Sequence, residues 1–165
     1  MRKRARLSNC LYRIWTYRRD RLVLICHPQH AFAKSKTLAL SNISGQRFIS
    51  FEPDIPTRKA IDKILRDREI QVETVMEFDN VETVKRAVEI DAGISIVPAG
   101  TVAQEVAKQT LAQVQIEDAE FYRPLAAIYK KNKVLSPAMK QFLAIIKDAE
   151  AQAAPVVLPK VKLPA

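Results

Sequence analysis

The chain is short of glycine, sulfur and histidine. Three glycines among 165 residues leave almost no room for a glycine-rich phosphate loop, and no Walker, G-x-S-x-G or H-E-x-x-H sequence occurs. Its two cysteines, Cys10 and Cys26, have no C-x-x-C spacing. Neither a disulfide framework nor a zinc site is expected from them, and both read as reduced thiols. The two histidines, His27 and His30, stand three apart, but Pro28 breaks any helix between them and no nearby Cys, Asp or Glu completes a ligand set. No metal, no cofactor and no catalytic nucleophile–base pair are expected, so the chain does not read as an enzyme. No apolar run approaches the roughly 18 residues of a membrane span, so no membrane partner is expected. Met1-Arg-Lys-Arg has the charge of a signal n-region, yet no apolar segment follows it, which favours a cytoplasmic location over export.

What is abundant is positive charge, at a formal +9. It is unevenly spread. Residues 1–21 carry eight Lys or Arg and one Asp, residues 151–165 add Lys160 and Lys162, and residues 22–150 hold 17 basic and 17 acidic groups. A neutral central region gives no electrostatic footprint for phosphate binding, so direct DNA contact by this region is not expected. Residues 1–21 read as an unassigned basic leader whose arginines follow no clean helical or strand period. Residues 149–165, rich in Ala, Pro, Val and Lys, read as a disordered tail.

Between these ends, strands alternate with helices. Leu22 to Cys26 is a short, fully apolar run stopped by His27-Pro28, the pattern of a buried strand. Phe48 to Phe51 is a second strand. Thr57 is placed to cap a helix to about Arg68, with Ala60, Ile61, Ile64 and Leu65 on its apolar stripe. Val72 to Met76 reads as a strand, then Asp79 with Glu82 has the spacing of a capping box for a helix carrying Val81, Val84 and Val88. Asp91-Ala-Gly93 closes that helix, with Gly93 expected in the left-handed position. Strands at Ile94–Val97, Leu111–Ile116 and Pro124–Tyr129 follow, with a helix over Thr101–Lys108 before the second. A last helix starts at Ser136-Pro137. Its residues Met139, Phe142, Leu143 and Ile146 are expected to face inward. This alternation predicts an α/β fold built from parallel βαβ units.

Five segments, in order, match one family. The run from Phe78-Asp-Asn through Asp91-Ala-Gly93 to Ile94-Ser-Ile-Val-Pro98 resembles the most diagnostic stretch of the effector domain of LysR-type transcriptional regulators: polar loop, helix, glycine turn and apolar strand ending in proline. His30-Ala-Phe-Ala33 resembles the family's His-Pro-Leu-Ala element, with Ala31 and Phe32 departing from it. Phe48-Ile-Ser-Phe-Glu-Pro53 and Tyr122-Arg-Pro-Leu-Ala-Ala-Ile-Tyr129 resemble the two strands that cross between lobes, and Ser136-Pro-Ala-Met-Lys-Gln-Phe142 resembles the start of the last helix. The resemblance implies a fold like the type 2 periplasmic binding proteins, with a small-molecule effector bound between two lobes. On this mapping residues 52–122 form a complete lobe, and residues 22–51 with 124–148 form part of the other. The family's helix-turn-helix matches nothing in this sequence, so a truncated chain is expected, one that touches DNA only through the missing domain and is homo-oligomeric in the full-length regulator. Two alternatives share the mapping. One is a solute-binding protein of the same fold, which calls for an export signal that is not evident. The other is a gene fragment without activity of its own.

The resemblance places two helix starts at an effector cleft. Free N–H groups and the dipole at a helix N-terminus favour small anions. Thr57 and Arg58 are therefore candidate donors to a carboxylate, Asp79 and Asn80 candidate contacts to polar groups, and Pro53, Phe78 and Pro98 candidate cleft linings. The same residues have plainer readings: Thr57 and Asp79 as simple N-caps, Arg58 as solvated surface. Glu52, Asp54, Asp79 and Glu82 make the region acidic, so an amine-bearing or neutral effector fits as well as an anionic one.

Overall fold

The computed structural model describes residues 12–118 and 122–152. The chain divides into two compact units. One is Arg19–Arg123; the other takes residues 1–18 and 124–165. The described residues form seven strands and four α-helices: β1 (Tyr12–Cys26), β2 (Thr37–Leu38), β3 (Arg47–Phe51), α1 (Pro56–Asp67), β4 (Glu73–Phe78), α2 (Val81–Glu89), β5 (Ser95–Pro98), α3 (Ala103–Ala107), β6 (Ala112–Ile116), β7 (Tyr122–Lys130) and α4 (Pro137–Gln152). Every element read from the sequence is found, in the expected order; the two-residue β2 and the 3-10 turns Ala31–Lys34 and Leu40–Ile43 are added.

The 19–123 unit is organised around the apolar half of β1. Leu22, Val23, Leu24, Ile25 and Cys26 are all buried, as a central strand covered on both faces requires. β1 pairs antiparallel with β5 on one side (Val23 with Val97) and with β6 on the other (Ile25 with Gln113). β2 runs parallel to β6, and β3 runs parallel to β4 with a register shift between Phe48 and Ile49. A parallel bridge between Phe48 and Ile94, with the Ser95 hydroxyl donating to Ile49 O at 2.7 Å, ties β3 to β5. The sheet is thus mixed, not wholly parallel. Helices α1 and α2 lay Ile61, Leu65, Val84 and Val88 onto it.

Several expectations are corrected. Thr57 is not a cap: α1 begins at Pro56, whose fixed φ suits the first helical position, and Ile55 is the N-cap. Asn80, not Asp79, caps α2, its Oδ1 accepting from Thr83 N at 2.9 Å. Gly93 is not left-handed. The positive φ after α2 belongs to Asp91 (59°), while a Cβ at Gly93 would lie 2.6 Å from Arg47 O. Its glycine is required by the close approach of β3. The helix expected over 101–108 is shorter, a single 3-10 turn at Ala99–Thr101 followed by α3.

Residues 22–51 pair with 52–122 through β1–β5, β1–β6 and β3–β4, all within the compact unit Arg19–Arg123. The basic leader is strand from Tyr12 onward, because pairing with β7 supplies what its local pattern lacks; residues 1–11 lie outside the described residues. The expected tail begins later, since α4 runs to Gln152, and residues 153–165 lie outside the described residues. In the other unit, the Ser136 hydroxyl accepts from Met139 N at 3.3 Å and caps α4. Phe142, expected to face inward, is 60% exposed.

Candidate functional site

In the 19–123 unit, β3, β4 and β5 point the same way, so their carboxyl ends share one edge of the sheet. Phe51 pairs with Phe78, and Glu52 N donates to Phe78 O at 2.9 Å, which sets those two ends side by side. Pro98 ends β5 opposite Leu22 of β1. Ligands of open α/β sheets bind beyond such carboxyl ends, where helix N-termini gather. The seven residues singled out in the sequence all fall along this edge or in the turns leaving it.

Their chemistry there differs. Arg58 is engaged through Nε and Nη1: Nε donates to both oxygens of Asp62 at 2.8 Å, and Nη1 reaches Phe51 O and Glu77 Oε1 at 2.6 and 2.7 Å. Desolvation opposes its charge, but the bonds to Glu77 and Asp62 outweigh it and raise its pKa. It holds α1 against β3 and β4, and at 16% side-chain exposure it is not solvated surface. Asn80 is likewise engaged, its Oδ1 accepting from Thr83 N and Oγ1, while Asp79 Oδ1 accepts from Asn80 Nδ2 at 2.7 Å. The start of α2 is therefore satisfied from within. Pro98 is buried and its carbonyl accepts from Thr101 Oγ1 at 2.7 Å. Phe78 is half-buried, and Pro53 is exposed in the Glu52–Ile55 turn.

α1 is different. No side chain among the described residues caps it, and among them the first-turn N–H groups of Thr57 and Arg58 have no acceptor at the positive end of the helix dipole. Thr57 is only 3% exposed. Its Oγ1 accepts from Arg123 Nη1 at 3.2 Å, and Arg123 in turn is held by Asp20 Oδ2 through Nε (3.0 Å) and Nη2 (2.8 Å). Sequence reasoning missed Asp20 and Arg123. No spacing rule joins positions 20, 57 and 123; the one available sign was that Asp20 is the sole acid among the first 21 residues.

The acidity of this region is partly cancelled. Glu82 pairs with Lys85 at 2.8 Å, and Glu77 with Arg58 at 2.7 Å. Away from the edge, Lys85 is buried between α2 and α3, donating to Glu105 Oε1 at 2.9 Å and Thr101 O at 3.0 Å. Hydrogen bonding to Lys85 holds the Glu105 carboxyl below its ordinary range. His27 and His30 serve the turn after β1: their Nδ1 atoms accept from Gln29 N and Phe32 N, each at 3.2 Å. Burial, with the Asp91 charge behind it, pushes the Cys26 thiol up to about 11. Among the described residues no helix is long and apolar enough to cross a membrane.

Residues 12–151 match the LysR substrate binding domain. The chain belongs to that family. A LysR-type relative, the probable RuBisCO transcriptional regulator of Cyanidium caldarium, is 32% identical over 126 residues, covering 74% of this chain and 40% of that protein. The chain thus spans less than half the length of the curated relatives it matches. Among solved structures, the regulatory domain of Synechocystis CcmR in complex with 2-PG superposes with a TM-score of 0.78 at 20% identity, covering 88% of this chain and 70% of that one. The effector-binding domain of QuiR in complex with shikimate gives 0.76 at 20% identity, covering 89% and 69%. The LysR effector-domain fold, periplasmic-binding-protein-like, is thereby the fold of this chain.

Proposed function

We propose that this chain is the effector-sensing portion of a LysR-type transcriptional regulator and that its effector is a small carboxylate-bearing metabolite. Binding at the carboxyl edge of the 19–123 sheet shifts a conformational equilibrium that alters DNA binding by a helix-turn-helix carried outside this sequence. The regulator works in the cytoplasm, as a homo-oligomer, without catalysing a reaction. The observation that carries the reading is the open first turn of α1, beside a guanidinium, at an edge where the corresponding turn of α2 is already capped. Thr57 donates at that turn, with Pro53 and Phe78 as neighbouring surface, while Asp79, Asn80, Arg58 and Pro98 serve mainly to build the edge. CcmR and QuiR, each solved with a small ligand, support an effector of similar size.

Calorimetric titration of the purified chain with 2-PG and with shikimate tests this. Saturable binding of either, lost when Thr57→Pro removes the N–H and hydroxyl that Thr57 offers in the first turn of α1, is the expected result. Binding that survives this substitution in a folded variant places the effector elsewhere.

A further inference from the structure

We infer that Arg123 is the residue that selects a carboxylate at this site, with Asp20 as the group that positions it. The inference rests on the reading above, that a small effector binds at this edge.

The argument is a count of donors. A guanidinium carries five N–H groups in a rigid fork. Arg123 gives two of them to a single oxygen of Asp20, at 3.0 and 2.8 Å, and one to Thr57 Oγ1, at 3.2 Å. Two N–H groups then remain without a protein acceptor among the described residues. The side chain is 33% exposed, so solvent or a ligand reaches them, whereas Asp20 is 17% exposed and serves as an anchor. Thr57 adds a second donor. Its hydroxyl oxygen accepts from Arg123, the residue is 97% buried, and its own O–H finds no acceptor among the described residues.

Other cations of the unit are differently placed. Arg58 also has two N–H groups, on Nη2, without a protein acceptor among the described residues, but it is already paired with two carboxylates, Asp62 and Glu77, and its side chain is only 16% exposed against 33% for Arg123. Arg68 reaches the carbonyl and carboxylate of Asp118. Lys85 is enclosed by Glu82, Glu105 and Thr101 O. Arg123 combines a fixed orientation with spare donors next to the open turn of α1. A fork held in place before binding loses little side-chain freedom when it captures an anion, and two parallel N–H groups match the two oxygens of a carboxylate. A neutral ester or amide in the same position gains far less.

The experiment compares shikimate with methyl shikimate, which differ at the carboxylate, and adds 2-PG as a second acid. Each is titrated into the wild-type chain, Arg123→Gln, Arg123→Lys, Asp20→Asn and the surface control Arg86→Gln, with circular dichroism reporting the fold. Wild type is expected to prefer the acid over the ester by about tenfold or more, the range for hydrogen bonds to charged groups. Arg123→Gln should bring that ratio close to one by weakening the acid alone. Arg123→Lys keeps the charge but loses the fork, and should retain part of the preference. Asp20→Asn should weaken acid binding despite removing a negative charge, the opposite of a simple charge effect, and Arg86→Gln should change nothing. A folded Arg123→Gln, or Arg123→Lys if the first does not fold, with the wild-type acid-to-ester ratio overturns the inference and leaves the effector site standing. Absence of binding by every probe to wild type overturns the site itself, and the role of Arg123 with it.

Discussion

Two glycines differ in what an added methyl group meets. At Gly45 (φ 71°) nothing lies within 4 Å, so Gly45→Ala meets only the backbone cost of the left-handed region, about 1 kcal/mol. At Gly93 the methyl carbon would stand 2.6 Å from a strand carbonyl, so Gly93→Ala must displace β3 and should cost about 1–3 kcal/mol. Urea unfolding of both variants checks this; a Gly93→Ala midpoint equal to wild type would show that β3 yields freely. Lys85 makes a second case at this scale. Its ammonium is stabilised by bonds to Glu82 and Glu105 that exceed the desolvation it suffers, so its pKa is raised, and that of Glu105 is lowered. A lowered carboxylate contributes stability that is present above its unfolded value and lost as pH falls through its folded value. A raised ammonium contributes stability that is lost only as pH rises through its folded value. Lys85→Met strands Glu105 and should destabilise by about 3 kcal/mol at neutral pH. The deficit should shrink in acid, once Glu105 takes up a proton. Denaturation curves at pH 7 and pH 4 that differ from wild type by the same amount would remove the ion pair as the cause.

The helices show what the sequence discloses and what it withholds. Their existence and apolar faces follow from local periodicity, and Ile61, Leu65, Val84 and Val88 lie on the buried faces expected for them. Their ends do not follow as well. Asp79 and Asn80 are both good caps, and the choice between them depends on where the strand before them stops. Likewise Thr57 precedes an apolar stripe as a cap would, but Pro56 is already suited to the first helical position and displaces it inward. The site was legible only to the extent that it is built from such local features. Phe78, Pro98 and Thr57 lie along the carboxyl edge of the sheet, while Asp20 and Arg123 are 103 positions apart in the sequence and meet only through the sheet. Asn80→Ala should therefore lower stability by about 1 kcal/mol, through loss of the cap, and leave effector affinity within twofold of wild type. A thermal melt paired with a titration separates the two; a large drop in affinity would return Asn80 to the site.

At the scale of the whole chain, the strand order was legible and the strand pairing was not. Apolar runs such as Leu22–Cys26 announce a buried strand without saying which strands flank it, and pairing with β5 and β6 is a long-range choice. The β7–α4 unit exposes Ile128 (62%), Phe142 (60%) and Ile145 (60%). Apolar surface of this kind promotes association, so the purified chain should elute above the monomer mass and shift with concentration, and Ile128→Ser with Phe142→Ser should reduce the effect. Light scattering across a hundredfold dilution reads it, and a monomer at every concentration would mean this surface is tolerated by water. The uncapped start of α1 has a further consequence. Its first turn has no side-chain acceptor among the described residues, so an anion can take the place of solvent there. Whatever anion does so binds the native chain and not the unfolded one, and must raise the melting temperature by mass action. A library of acids can thus be ranked by heating alone, and the compound that most delays unfolding is the first candidate for the proposed effector.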